Sequence, residues 1–260
     1  MAIATYENFV LENKMTDLVN TNLDVHALFT TDASLQNVDG MRKVVNKYTY
    51  TGAVEKLSKG EKNTVRGGNT MVTETYDIER YQQVFDYNDE DVMKDSYYLD
   101  TLTTGAATLM SNHIKEQYFG ELAKISNTFE YETFNYDAVV DALAQIGREV
   151  ESDQFIVMGI DSKAAIRKDA DYKSSRQGEI LYTGQFGDIC GVPCVCSKLV
   201  PADTVYITSR DQIKFFVKKS GEIEQDRDIE TKDNTVVYSR YGLMALVDET
   251  KSVKMVKAGA

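Results

Sequence analysis

Two stretches dense in Val, Thr and Tyr, residues 41–50 and 71–87, flank a connection at residues 51–70 that has almost nothing to bury. The connection holds Gly52, Gly60, Gly67 and Gly68 among the charged residues Glu55, Lys56, Lys59, Glu61, Lys62 and Arg66. The flanking composition favours strands, and a structureless connection this long is uncommon inside a compact domain unless it serves a function or stays mobile. Together these features predict a long protruding β-hairpin over residues 38–88. An isolated two-stranded ribbon is marginal in water, so the hairpin needs a neighbour. Tyr48, Tyr50, Glu55, Lys56, Lys59, Glu61, Lys62 and Arg66 are the candidate contact residues, with Tyr76 nearer the base.

The remaining sequence is that of a packed protein. Of 260 residues, 42% are hydrophobic and 27% charged, with 16 Gly and 2 Pro, which excludes the disordered and low-complexity classes. That length supplies one large domain or two intertwined ones. No run nears the roughly 18 consecutive apolar residues of a membrane-spanning helix. The opening Met-Ala-Ile-Ala-Thr-Tyr-Glu-Asn lacks the basic and apolar blocks of a secretory signal. A soluble protein made in the cytoplasm is therefore expected. The formal net charge of −12 opposes tight wrapping of nucleic acid, because phosphate binding draws on clustered Lys and Arg.

Apolar spacing places the other elements. Residues 1–37 read as an N-terminal arm with one short helix, the spacing of Met15, Leu18, Val19, Leu23, Val25 and Leu28 being diluted by Asn and Thr. Asn88-Asp89-Glu90-Asp91 is helix-start chemistry, and the stripe from Leu99 to Ile125 predicts one long helix of about 27 residues, about 40 Å. A second helix over 136–150 has Asn135 as its cap. Strands are expected at 155–160, 190–197, 204–208, 213–217, 235–240, 243–247 and 253–256, with a helical segment at 162–169. The sum is an α+β protein.

Catalytic motifs are absent from the sequence: no phosphate-cradling Gly-x-x-x-x-Gly-Lys, no Gly-x-Gly-x-x-Gly, no His-Glu-x-x-His and no Gly-x-Ser-x-Gly. Cys190, Cys194 and Cys196 have no nearby fourth ligand for zinc and read as buried, reduced thiols of a strand. His26 and His113 are far apart, and His113 reads as a core or semi-buried member of the long helix's stripe. The carboxylate pairs Asp89 with Asp91 and Asp226 with Asp228 can in principle hold a divalent cation, though solvated turn residues are the commoner outcome. No cofactor is expected.

Four segments in order resemble the capsid subunit family of the Hong Kong ninety-seven type. They are Gly40 to Gly60, like the first strand and tip of that family's extended loop; Glu74 to Asp95, like its returning strand and helix start; Glu179 to Pro201; and Glu224 to Val256, like its closing strands. The third carries spaced glycines, Gly184, Gly187 and Gly191, before Val192-Pro193, which suit tight turns and a strand edge. The resemblance implies a tailed-phage major capsid protein, found in the virion and enclosing double-stranded DNA without sequence-specific contacts. It implies an extended loop over 38–88, a peripheral domain over 89–129 and 236–260 with a spine helix, and an axial domain over 130–235 containing the turn glycines. It also implies pentamers and hexamers in an icosahedral shell, no enzymatic activity, a separate scaffolding protein, a portal and decoration partners.

Some members of that family join a loop lysine covalently to a neighbour's asparagine. Lys56, Lys59 and Lys62 sit at the matching tip, but no asparagine can be paired with them from the sequence, and solvated, uncrosslinked lysines are expected. Three other readings stay open at this point: an encapsulin-like compartment shell of the same fold, a metal-dependent enzyme using the acidic pairs, and a monomeric binding module.

Overall fold

The structure, a computed structural model, describes residues 3–24, 28–36, 38–95, 97–147, 153–170, 172 and 187–259. Helix α1 (Ile3–Asp24) and strand β1 (Thr30–Asp32) precede the hairpin, β2 (Arg42–Thr51) and β3 (Gly68–Asp77). Then come β4 (Glu79–Asn88), α2 (Asp89–Lys94), α3 (Tyr98–Leu122), β5 (Thr128–Tyr131), α4 (Tyr136–Ile146), β6 (Gln154–Met158) and α5 (Ile160–Lys168). The chain closes with β7 (Asp188–Ile189), β8 (Val192–Cys196), β9 (Thr204–Ser209), β10 (Ile213–Arg227), β11 (Asp233–Leu246) and β12 (Val253–Lys257).

Three sheets form among the described residues. A four-stranded sheet runs β1-β10-β11-β4, a six-stranded sheet runs β5-β12-β9-β6-β8-β7, and β2-β3 stands as a two-stranded ribbon. The α+β class expected from sequence is what forms. Two main cores form, and the first also takes in Phe155, Val157 and Tyr206 of the six-stranded sheet. Met110, Ile114, Tyr118 and Leu122 of α3 pack over the four-stranded sheet on Tyr81, Phe215, Val236 and Met244. Val139, Ala142 and Leu143 of α4 pack with Ile156, Ile207, Val253 and Met255 of the six-stranded sheet.

Caps fix where the helices begin and end. The Asn88 side chain accepts from the Glu90 N–H at 2.9 Å, and the acidic first turn of α2 complements the helix dipole. The single helix expected beyond Asn88 is broken, however. Asp95 is extended, and its carboxylate accepts from the Tyr97 N–H at 2.9 Å, so a short acidic side chain competes with the helical ladder and starts a second helix. The spine helix α3 therefore has 25 residues, about 38 Å. The second predicted helix starts at its expected cap, with Asn135 accepting from the Ala138 N–H at 2.9 Å. It ends earlier than expected because Gly147, at φ 65°, takes the left-handed conformation that closes a helix. Val150 lies outside the described residues.

Four further expectations need correction. The helix of the N-terminal segment is not short: α1 has 22 residues and lies on α3 and β10. Met15 and Val19 are fully buried, Lys14 pairs with Asp100, and the buried Arg240 donates to the Asn20 side chain at 3.3 Å. Val25 and His26 lie outside the described residues. Residues 79–88, placed in the hairpin by sequence, pair with β11 in the four-stranded sheet. The segments 235–240 and 243–247 form one continuous strand, β11, because β10 extends far past Val217 and pairs along it to Asn234. Finally, β10 falls with the spine-helix sheet although it lies within 130–235, and β12 pairs with β5 and β9 although it lies within 236–260. Strand pairing, which sequence position does not reveal, sets the division between the two layers.

If α1 is part of the core, Met15→Ala should destabilise the unassembled subunit by about 2–5 kcal/mol. Chemical denaturation followed by circular dichroism measures this, and a change under about 0.5 kcal/mol, the usual surface value, would return α1 to the status of an arm.

Candidate functional site: an unpartnered hairpin

The ribbon begins as its alternation dictates. In antiparallel register Arg42 pairs with Asp77 and Thr51 with Gly68, so ten residues per strand extend about 34 Å. Side chains alternate between faces, and the two faces differ. One carries Lys43 with Tyr76, Val45 with Glu74, and Lys47 with Val72. Near the base it meets the body: Val45 and Ile78 join Leu35, Phe216, Leu243 and Ala245 in a small cluster, with Tyr76 packed against it. Lys43 lies 4.8 Å from the Phe216 ring centroid, and Tyr76 donates to Glu74 at 2.7 Å. Burial first, and that hydrogen bond second, hold the Tyr76 phenol above its ordinary range.

The opposite face has no such support. Val44, Tyr48, Met71 and Tyr50 stand exposed along it, with Tyr48 directly across from Met71. Sequence reasoning selected Tyr48 and Tyr50 and missed Val44 and Met71. The missing signal was the period-two alternation carried across both strands, which puts all four on one surface.

The tip, residues 52–67, is ordered by its own carboxylates. Glu55 accepts from the Thr64 N–H at 2.9 Å and from the Thr64 hydroxyl at 2.8 Å. Glu61 accepts from the Ser58 N–H at 2.8 Å while the Glu61 N–H donates to the Ser58 carbonyl at 3.1 Å. The Tyr50 ring lies over Gly67, where any Cβ would collide with the phenol. Lys56, Lys59, Lys62 and Arg66 are exposed and make no ion pair among the described residues. Val54 is 100% exposed and Leu57 45%.

The other sequence candidates lie elsewhere. Gly187 and Gly191 flank the β7–β8 turn, where Gly191 takes φ 81° and the Gly187 carbonyl accepts from the Cys194 N–H at 2.9 Å; Gly184 lies outside the described residues. The three cysteines are half-buried against the second core rather than buried, because β8 is only partly covered. His113 is exposed beside Glu116 and meets Tyr81 edge-on, so it belongs to the rim of the stripe and not to the core.

The segments that carry the acidic pairs meet: Arg227 donates to Asp89 at 2.5 Å, and the Asp89 N–H donates to the Lys232 carbonyl at 3.2 Å. Asn234 also donates to Asp89 at 2.7 Å, and Asp228 accepts from the Glu230 N–H at 2.8 Å, so both pairs help shape a turn. Among the described residues no group of three or more His, Cys, Asp or Glu is arranged to hold a metal ion, and no helix is long and apolar enough to cross a membrane.

Comparison with known proteins gives a consistent pattern. The family model for phage capsid protein matches residues 72–256, well over half of the chain. A search of curated proteins returns no match. Among solved structures, the capsid of a native GTA particle is 12% identical, with a TM-score of 0.72 over 92% of this chain and 91% of that one. The capsid of cyanophage P-SCSP1u is 11% identical, with a TM-score of 0.68 over 91% and 88%. A virus-like particle from Pyrococcus furiosus is 13% identical, with a TM-score of 0.65 over 96% and 99%. These likenesses establish a shared fold.

The tip makes a pH prediction. Its bonds from Thr64 hold the Glu55 carboxyl below its ordinary value of 4.5. A depressed carboxylate contributes its ordering fully above the ordinary value and loses it as pH falls through the depressed one. The protection factor of the Thr64 amide in the unassembled subunit should therefore be constant above pH 4.5 and decline below it. Glu55→Gln should remove that step, and a parent profile identical to the variant's would show that Glu55 does not order the tip.

Proposed function

The chain belongs to the phage capsid protein family and is a structural subunit of a tailed-phage capsid rather than an enzyme, and on that premise we propose that the β2–β3 hairpin is its inter-subunit arm. One observation carries the reading: among the described residues the ribbon is buried only at its base, and its apolar face and the cations of its tip stand exposed. Contacts that are modest singly become strong when repeated over closed symmetry. In this reading Tyr48, Tyr50, Glu55, Lys56, Lys59, Glu61, Lys62 and Arg66 lie against adjacent copies in pentamers and hexamers.

The two layers suit two tasks. The four-stranded sheet with α3 is a stiff peripheral unit that holds the hairpin at its base, and the six-stranded sheet with α4, α5 and the Gly187 and Gly191 turn is the axial unit around fivefold and quasi-sixfold axes. The interior encloses double-stranded DNA without base recognition, as the net charge of −12 favours sliding over gripping. Scaffolding, portal and decoration proteins complete the head, and the chain is made in the host bacterial cytoplasm before entering the virion.

The register provides a clean test. Because Thr51 pairs directly with Gly68, replacing residues 52–67 with Asn-Gly leaves a two-residue hairpin loop of the favoured kind. The shortened subunit should melt within a few degrees of the parent, a loss of about 1 kcal/mol or less, while electron microscopy shows shells that fail or break. Normal shells that withstand heat as the parent's do would remove the hairpin from its proposed role. Denaturing gels of mature particles should show a single band for this chain, since the tip lysines act without covalent bonds. A ladder of multimers would contradict that.

A further inference from the structure

Strand β4 ends the four-stranded sheet: one edge pairs with β11, and the other is unpaired among the described residues. The bonds at its two ends show which residues face the open side. The Asp89 N–H donates to the Lys232 carbonyl at 3.2 Å, on the β11 side, whereas the Ile78 N–H donates away from β11 to the Met41 carbonyl at 2.8 Å. Between them the register is unbroken. By alternation, Arg80, Gln82, Val84 and Asp86 therefore direct their N–H and C=O groups outward. The Val84 carbonyl agrees, accepting at 3.3 Å from the Gln83 side chain, which stands where the N–H of a further strand would lie.

An open edge is a template for another strand, and native proteins usually blunt it with Pro, Lys or a bulge. β4 has ten residues, none of them Pro or Lys, and no bulge against β11. Beside it runs a groove of about 370 Å³ between the strand and α3, lined by Gln82, Gln83, Leu109 and His113 among others. Leu109 is 58% exposed there, and Val84 46%.

The strand's own sequence says what fits this edge. Two copies of β4 laid antiparallel about a twofold axis at Gln83 place Arg80 opposite Asp86 at both ends, Gln82 opposite Val84 and Tyr81 opposite Phe85. Outward-facing residues must lie opposite one another for the backbones to bond, so the neighbouring registers centre on Val84 or on Gln82. The first puts Arg80 opposite Asn88 and the second puts it opposite Val84, so both lose the charge match. Asp86 is held on its face by the Thr235 hydroxyl, which donates to it at 2.7 Å, and Arg80 makes no ion pair among the described residues.

We propose that β4 is a self-pairing edge, through which the four-stranded sheets of two copies join antiparallel over residues 80–86. The contact is isologous and lies on a twofold axis, which icosahedral symmetry supplies. Stable interfaces bury roughly 1,200–2,000 Å², so a join this short ties together subunits that other contacts already hold. It does not use the hairpin.

Disulfide trapping tests the register. Gln83 would face its own copy in a non-hydrogen-bonded pair, with Cα atoms about 4.5 Å apart and within disulfide range. Full-length Gln83→Cys, assembled into shells and mildly oxidised, should give a dimer band on non-reducing denaturing gels. That band should exceed the parent's by about tenfold, and equally that of Val84→Cys, which reports the neighbouring register. Adding Arg80→Asp should lower the dimer yield about tenfold, and adding Asp86→Arg as well should restore it to within about threefold. Where a variant forms no shells, concentrated free subunits are oxidised and read by the same criterion. No dimer from Gln83→Cys, an equal dimer from Val84→Cys, indifference to Arg80→Asp, or a loss that Asp86→Arg does not restore would overturn the self-pairing. Gln83→Cys placed in the Asn-Gly variant should still yield the dimer, so this contact and the hairpin arm can fail separately.

Discussion

A ribbon with two strands of ten residues and an anchor at one end needs something beyond its own chain to hold the rest. In this subunit the anchor is the cluster of Val45, Ile78, Leu35, Phe216, Leu243 and Ala245, and beyond it the hairpin offers only cross-strand pairs to itself. Such pairs contribute roughly 0.2–1 kcal/mol each, too little to fix an isolated ribbon firmly. Everything else in the fold can be understood as what makes that deficit useful. A subunit that completed its own burial would have no reason to associate.

The body is built to transmit load from the base of the hairpin. β10 and β11 form an antiparallel ladder from Ile213 with Leu246 to Arg227 with Asn234, its register shifting between Val217 and Glu222, and all of β4 pairs along β11. At Gly242 there is no room for a side chain, since a Cβ would stand 2.9 Å from the Phe216 carbonyl and the Phe215 ring. On the other side α3 and α1 close the core, with Arg240 reaching from the sheet to Asn20 while its guanidinium lies 5.3 Å from the Phe215 ring centroid. Ile78 joins β3 to β4 with no intervening loop, so motion of the hairpin is coupled to the edge of this sheet.

Much of this was legible in the sequence, for reasons that are local. The hairpin announced itself through strand-forming residues around a tip with nothing to bury, and Asn88 and Asn135 announced two helix starts through cap chemistry that acts within three residues. What stayed hidden depended on distant partners. The second half of β10, Lys218 to Arg227, is mostly polar and resembles a loop until β11 is laid beside it. Asn and Thr dilute the period of α1, whose burial is decided by α3. The parallel pairing of β12 with β5 joins residues far apart in sequence. At the site, the lysines and tyrosines of the tip were visible, whereas the union of Asp89 with the β10–β11 turn, through Arg227, Asn234 and the Lys232 carbonyl, exists only in three dimensions.

The central claim is that neighbouring copies supply the hairpin's missing burial, and amide hydrogen exchange on free subunits and on assembled shells tests it most directly. In the free subunit, amides of β10, β11 and α3 should be strongly protected while those of β2 and β3 beyond Val45 exchange rapidly. In shells, the β2 and β3 amides should slow by about a hundredfold or more, equivalent to about 2.7 kcal/mol of added stability, with the core little changed. Hairpin protection that is already at the core's level in the free subunit, or that does not change on assembly, would contradict the account.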